Sequence, residues 1–177
     1  MKKNERGLMI VYTGDGKGKT SSSLGVILRT IGYGGTVYLL YFMKEIQLSE
    51  VAALRQFGKQ INIEQAGAGF FKIRGDHASE SEHRRKAALA LKKAATAIAS
   101  NKYDLVVLDE VLNAVDVGLL TNKQLLDVLA KRKKSHVIVT GRNARAALIA
   151  RADLVSEMRK IKHPFDKGIY AKKGIDF

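Results

Sequence analysis

The feature that most restricts the fold of this chain is a glycine-rich segment between an apolar strand pattern and an apolar helix pattern. Residues 8–12 form a short apolar run typical of a buried strand, and Lys19–Gly32 carries apolar residues at helical spacing. Between them lies the run Thr13-Gly14-Asp15-Gly16-Lys17-Gly18-Lys19-Thr20. Glycines allow positive φ and a close backbone approach, so that N–H groups and the helix N-terminus point at phosphate oxygens. The segment therefore predicts a phosphate-binding loop (P-loop) for ATP.

The residue types in this loop suggest individual roles. Lys19 brings a full positive charge to the phosphates, and the Thr20 hydroxyl is placed to coordinate Mg²⁺ or Mn²⁺. The usual pattern opens with glycine, and this chain has Thr13 there, although glycines follow inside the loop. The candidate nucleotide-binding residues of the loop and the first helical turn are Gly14, Asp15, Gly16, Lys17, Gly18, Lys19, Thr20 and Ser21.

Two further apolar runs end in polar residues that suit the same site. Residues 105–108 are followed by Asp109 and Glu110, and a P-loop needs such an acid to hold its metal directly or through water. Which of the two touches the metal is open, since one acid would equally cap a helix or pair with a base. Residues 137–139 precede Arg142, whose guanidinium matches phosphate geometry. Arg142, and Arg29 on the helix after the loop, are candidate phosphate ligands, with a plain surface role as the alternative.

The order of apolar segments predicts the fold class. The predicted strands are short and mostly not alternating, as in parallel sheets covered on both faces. Helical segments lie between them, which indicates an α/β doubly wound, mostly parallel sheet with helices on both faces, of the P-loop NTPase or RecA-like type. Residues 1–177 are expected to form one domain, with 160–177 an irregular C-terminal segment. The predicted strands are 8–12, 37–42, 61–64, 105–108, 137–139 and 154–156, and the predicted helices are 19–32, 49–57, 80–100, 122–132 and 144–150.

Composition narrows the class of protein. The formal net charge is +14, which favours anionic partners but does not choose between nucleic acid and phosphate-bearing small molecules. We interpret the densest basic run, residues 131–134, as a solvated loop. No stretch approaches the ~20 apolar residues of a membrane span, and no signal or transit peptide is indicated, so a cytoplasmic location is expected. The absence of cysteine excludes disulfides and thiolate chemistry.

Beyond these patterns, the chain resembles the P-loop ATP:corrinoid adenosyltransferases of cobalamin synthesis and salvage, which modify cob(I)alamin or cob(I)yrinic acid a,c-diamide. The resemblance rests on the P-loop, on Asp109-Glu110 and on Thr140-Gly141-Arg142. Its more specific part is the end of the chain, with Lys162-His163-Pro164-Phe165-Asp166 and then Lys173-Gly174-Ile175-Asp176-Phe177.

The resemblance implies that the 5′-deoxyadenosyl group of ATP is moved onto the reduced cobalt of a corrinoid, with release of triphosphate. It implies catalytic roles for Lys19 and for Phe70, which would pack near the lower face of the cobalt. Better-known members have a tryptophan two residues after this Phe, where this chain has Lys72. Mg²⁺, a homodimer and a reduced flavoprotein electron donor are also implied, and the extra N-terminal helix of longer members is expected to be absent.

Other readings of the same residues stay open at this level. A P-loop ATPase or kinase acting with nucleic acid or another anionic partner would use the same Lys19, Thr20 and acidic residues, but would release ADP. A nucleotide-binding regulator without turnover is a third class. The resemblance favours the corrinoid enzyme, with nucleic acid not expected as a partner. His77 and His83 are six residues apart, so a shared metal is not expected, and we interpret them as solvated or capping residues.

Overall fold

The sheet of this protein is wholly parallel in the part of the chain that the structure describes. The structure is a computed structural model that describes residues 6–43, 48–67, 71 and 77–176. The strands lie in the order β3-β2-β4-β5-β1-β6, and each neighbouring pair is parallel. The strands are β1 Met9–Thr13, β2 Val37–Tyr41, β3 Ile61–Gln65, β4 Leu105–Asp109, β5 His136–Thr140 and β6 Leu154–Glu157.

The helices follow the prediction most closely where the sequence marks their ends. The predicted helices 19–32 and 80–100 are confirmed from end to end, whereas 49–57, 122–132 and 144–150 are shorter in the structure. Residues 55–60 form a 3₁₀ turn that contains Gly58 at φ 57°. One helix, α4, was not predicted. The helices are α1 Lys19–Gly32, α2 Ser49–Leu54, α3 Glu80–Ser100, α4 Val111–Asp116, α5 Asn122–Leu129 and α6 Ala146–Ile149.

Both faces of the sheet are covered, which explains the unbroken apolar runs. On one face, α3, α4 and α5 pack against residues such as Val106 and Leu108. On the other face, α1 and α2 pack against the alternate residues, such as Val107 and Ile138. The small side chains of α3, including Ala90 and Ala94, are fully buried and let that helix lie close to the sheet. The α/β doubly wound prediction is confirmed.

The start of α3 shows one half of the capping box that its sequence predicts. The spacing of Ser79 and Glu82 suggests a reciprocal capping box, and the Ser79 hydroxyl does accept a hydrogen bond from the Glu82 N–H at 3.2 Å. Among the described residues, however, the complete reciprocal box is found at α5, between Thr121 and Gln124. Both helices therefore begin where a hydroxyl side chain satisfies a free backbone donor.

The topology brings three strand ends to one edge of the sheet. Because β5 lies between β1 and β4, its last residue, Thr140, stands between the end of β1 at Thr13 and the end of β4 at Asp109. The predicted irregular segment at the end of the chain contains one 3₁₀ turn, Pro164–Lys167, capped by His163. Among the described residues, none of the helices has the length and apolarity that a membrane crossing requires.

Candidate nucleotide-binding site

Thr13, which replaces the usual first glycine of the loop, ties the loop to two other segments. Its side chain is buried, and its hydroxyl accepts a hydrogen bond from the Ala144 N–H at 3.2 Å. Its carbonyl accepts a second bond from the Met158 N–H at 2.8 Å. The threonine therefore anchors the P-loop to the chain that follows β5 and to the chain that follows β6.

The first two glycines of the loop are required because the backbone at Met158 leaves no room for a side chain there. Gly14 has φ 105°, and a Cβ there would lie 2.3 Å from the Met158 carbonyl oxygen. A Cβ on Gly16 would lie 2.8 Å from the same oxygen, and the Gly16 N–H donates to it at 2.7 Å. The Gly16 amide is therefore bonded within the protein. Gly18, at φ 113°, places no capping side chain on α1, so the first-turn N–H groups of that helix face the loop uncapped.

Lys19 folds back over the loop. Its Nζ donates to the carbonyl oxygens of Gly14 and Gly16, both at 2.6 Å. Burial is the main cause that lowers the pKa of Lys19, followed by the nearby positive charge of Arg142. The negative charges of Glu110, Asp15 and Asp109 oppose this shift. An anion bound at the loop would therefore meet a cation whose position is fixed by two backbone carbonyls.

Two hydroxyl groups converge on Asp109, a carboxylate that is only 1% exposed. Thr20 Oγ1 donates to Asp109 Oδ1 at 3.0 Å, and Thr140 Oγ1 donates to the same oxygen at 2.8 Å. Thr140 Oγ1 also accepts a hydrogen bond from the Glu110 N–H at 2.8 Å. Thr140 was not among the predicted site residues, although its place as a polar residue ending a buried strand was a usable signal.

The oxygen atoms at this point fit a hard divalent cation. Mg²⁺ binds oxygen ligands and is usually held by one or two protein groups plus phosphates and water. Thr20 and Asp109 supply a hydroxyl and a carboxylate, and the described residues contain no group of three or more His, Cys, Asp or Glu that could hold a metal alone. The donor set therefore fits Mg²⁺ or Mn²⁺ that reaches the site together with a nucleotide.

The two candidate arginines lie in different places. The Arg142 backbone N–H donates to Asn113 Oδ1 at 2.8 Å. The positive charge of the Arg142 side chain acts on Lys19. Arg29 is exposed in the last turn of α1, ten residues after Lys19 and so about 15 Å along the helix. The structure thus brings Arg142 to the loop and leaves Arg29 away from it. Ser21 is exposed in the first turn of the same helix.

The C-terminal segment contacts the P-loop through two side chains that the sequence alone does not connect. Asp15 Oδ1 accepts a hydrogen bond from the Lys160 N–H at 3.1 Å, and this bond is the main cause that lowers the pKa of Asp15. Lys17 forms an ion pair with Asp176, whose second oxygen accepts from the Lys172 N–H at 2.7 Å. Asp15 and Lys17 are therefore both engaged by residues that follow β6.

Among the aromatic and histidine residues, the structure extends and corrects the predictions from sequence. Phe70 and Lys72 lie outside the described residues. Phe71 is described, and its ring packs edge-on against His83 with centroids 5.0 Å apart. The interpretation of His83 as a solvated residue is wrong, because it is 2% exposed and packs against Phe71. Tyr41, which ends β2, was also missed; burial, and then the charge of Asp109, raise the pKa of its hydroxyl.

Comparison with known proteins places the chain within one family. A family model described as ATP:corrinoid adenosyltransferase BtuR/CobO/CobP matches residues 5–177. A corrinoid adenosyltransferase of Pseudomonas aeruginosa is 38% identical over 177 residues, covering 99% of this chain and 86% of that protein. Proteins of the same name from Sinorhizobium sp and Escherichia coli K12 are 36% and 31% identical, over 99% and 98% of this chain and 83% and 87% of their own lengths.

Proposed function

The chain belongs to the ATP:corrinoid adenosyltransferase family, and we propose that it transfers the 5′-deoxyadenosyl group of ATP to the reduced cobalt of a corrinoid. The observation that carries this proposal is the family match over residues 5–177 on a chain whose P-loop, Asp109 and Arg142 form one site. The proposed co-substrates are ATP and the corrinoid, and the second product is triphosphate.

The proposed reaction is a displacement at the 5′ carbon of ATP. Cobalt(I) supplies an electron pair to C5′, which forms the cobalt–carbon bond. The C5′–O5′ bond breaks, and its bonding electrons leave with the oxygen of the triphosphate. Such a reaction requires no nucleophile from the protein. What the protein contributes is the position of the two substrates and the stabilisation of the charge that grows on the leaving group.

The contacts in the loop support a role for each charged group. Lys19 and Arg142 would hold the triphosphate, together with the loop amides, although the Gly16 amide is bonded to Met158 instead. Thr20 and Asp109 would hold Mg²⁺ or Mn²⁺, since the hydroxyl and the carboxylate are already 3.0 Å apart. The metal, when bound, would neutralise charge on the phosphates. The negative charge of Glu110 would act on Lys19 and on the bound metal ion.

The corrinoid side of the reaction depends on residues outside the described ranges. We propose that Phe70 packs against the lower face of the cobalt and helps to remove its axial ligand. Lys72 stands at the sequence position of the family tryptophan, and an effect on corrinoid preference is predicted from that replacement. Parallel assays with cob(I)alamin and cob(I)yrinic acid a,c-diamide would determine which of the two the protein prefers.

Three further predictions concern partners and location. A homodimer is proposed from the family resemblance, and the exposed apolar residues Leu154 and Val155 of the edge strand β6, 44% and 37% exposed, are candidates for its interface. A reduced flavoprotein is the proposed source of the electron that generates cobalt(I), as the family resemblance implies. A cytoplasmic location stays a prediction.

The experiment incubates the protein with ATP, Mg²⁺ and a chemically reduced corrinoid, and follows the cobalt–carbon absorption band and the phosphate products. We expect the band together with triphosphate in equal amounts. Lys19→Ala should slow the reaction by about 100-fold or more, whereas Lys92→Ala, an exposed lysine on α3, should leave it unchanged. ADP formation without the cobalt–carbon band would instead identify an ATPase or kinase and contradict the proposal.

A further inference from the structure

A second concentration of positive charge lies at the opposite edge of the sheet from the P-loop. A cavity of about 200 Å³ opens where β1, β5 and β6 begin, whereas the P-loop lies where parallel strands end. This volume is below the ~300 Å³ at which pockets for drug-sized ligands start. The cavity is lined by Arg6, Met9, Leu126, Ala130, Arg132 and Arg151.

Arg132 forms the inner wall of this cavity. It is 7% exposed, its Nε donates to the Gly7 carbonyl at 2.8 Å, and one terminal nitrogen donates to Asp153 at 3.1 Å. Burial is the main cause that lowers the pKa of Arg132, and the positive charge of Arg6 is the next. The Arg6 and Arg132 guanidinium groups, which both line the cavity, therefore lie close enough for their positive charges to repel each other.

Asp153 does not line the cavity but is bonded to two residues that do. Asp153 Oδ2 accepts the Met9 N–H at 2.6 Å and also faces Arg132. Within the described ranges, neither Arg6 nor Arg151 takes part in an ion pair. Among the described residues, three guanidinium groups and one carboxylate leave two positive charges here, which a dianion would balance.

The basic run at residues 131–134 adds to this potential. Its prediction as a solvated loop is correct for Lys131, Lys133 and Lys134, which are exposed, but Arg132 points inward. The Gly7 N–H donates to the Lys133 carbonyl at 2.7 Å, so the run lies directly beside the cavity. Clustered charge of one sign raises the local concentration of anions.

We propose that the Arg pocket, formed by Arg6, Arg132 and Arg151, binds the dianionic phosphate of a small phosphomonoester. Guanidinium groups match phosphate oxygens in pairs, and the fixed position of Arg132 reduces the ordering cost of binding. The apolar lining from Met9, Leu126 and Ala130 contacts the organic part of the ligand. The site is separate from the P-loop and does not depend on the proposed adenosyl transfer.

The test uses the whole chain and phenyl phosphate at pH 8, followed by ¹⁵N–¹H spectra at constant ionic strength. We expect saturable shifts at the amides of Gly7, Met9, Arg132 and Arg151, and weaker binding of inorganic phosphate because it lacks an apolar part. Any shifts of the P-loop amides report the other site separately. Because the readout identifies the site, failure here and failure of the adenosyl transfer are distinguishable.

Paired variants decide whether the site is specific. Arg6→Gln with Arg151→Gln should weaken binding at these amides by about tenfold or more, as expected for losing hydrogen bonds to a charged group. Lys59→Gln with Lys92→Gln removes the same charge from exposed positions elsewhere and should leave binding unchanged. Equal weakening in both pairs, equal binding of inorganic phosphate, or no saturable shift at these amides would overturn the proposal.

Discussion

Replacing Thr140 by valine removes the hydroxyl that joins the ends of β4 and β5. Thr140 is fully buried, donates to Asp109 at 2.8 Å and accepts the Glu110 N–H at 2.8 Å. A hydrogen bond to a charged group contributes about 1.5–3 kcal/mol, and a buried donor left without a partner costs about 1–3 kcal/mol. Asp109 keeps the hydroxyl of Thr20, which offsets part of the loss. We therefore expect Thr140→Val to lower the free energy of unfolding by about 2–4 kcal/mol.

The assay is urea unfolding followed by circular dichroism, with thermal unfolding as a second measure. For a chain of this size, a loss of that order lowers Tm by about 6–12 °C. Thr140→Ser is the matched control, because it keeps the hydroxyl and removes one buried methyl group at about 1 kcal/mol. If valine at this position costs no more than serine, the hydroxyl does not join the two strand ends and the reasoning is refuted.

Three other changes test the loop and its contacts. Gly14→Ala should destabilise the fold by about 3 kcal/mol, because its φ is positive and the added Cβ would lie 2.3 Å from the Met158 carbonyl oxygen. The control Gly32→Ala, which has open space around its Cβ, should not lower the stability measured in urea. The affinity for tripolyphosphate, measured by calorimetry, should fall as the pH rises through the pKa of Lys19, because the lysine then loses its charge. Since that pKa is lowered, the fall should begin below the ordinary value of 10.5. Lys19→Arg should flatten the fall, and identical pH profiles of the two proteins would refute this. Asp176→Asn should change the free energy of unfolding by less than about 1 kcal/mol but speed trypsin cleavage of the C-terminal segment. The control Asp127→Asn, on α5, should not speed this cleavage. Equal cleavage rates in the two variants would contradict the contact between Lys17 and Asp176.

The fold was predictable from sequence because its physical signals are local. A strand buried on both faces must be apolar throughout, so the runs at residues 105–108 and 137–139 stand out without any alignment. The signals for the starts of α1 and α3 were also local, since Gly18 and Ser79 directly precede the two helices. The short helix α4 carries no such signal: it follows Glu110 at φ 59°, and six residues are too few for a helical period.

The site was predictable in its parts but not in its connections. The P-loop residues and the acidic pair follow from motif chemistry, whereas the bond between Thr140 and Asp109 joins residues 31 apart in the chain. The approach of Met158 to Gly14 and the pairing of Lys17 with Asp176 likewise depend on where β6 lies in the sheet. Strand order is a tertiary property, and spacing within one segment does not encode it.

The central claim is that the 5′ carbon of ATP is the reacting atom, and isotopic labelling of one oxygen tests it most directly. ATP carrying ¹⁸O at the bridging 5′ oxygen is turned over with Mg²⁺ and reduced corrinoid, and the products are separated and weighed by mass spectrometry. Attack at C5′ breaks the bond between C5′ and that oxygen, so the account predicts that the label leaves in the triphosphate. Label retained on an adenosine product such as ADP would show that a phosphorus–oxygen bond breaks instead, and would contradict the account.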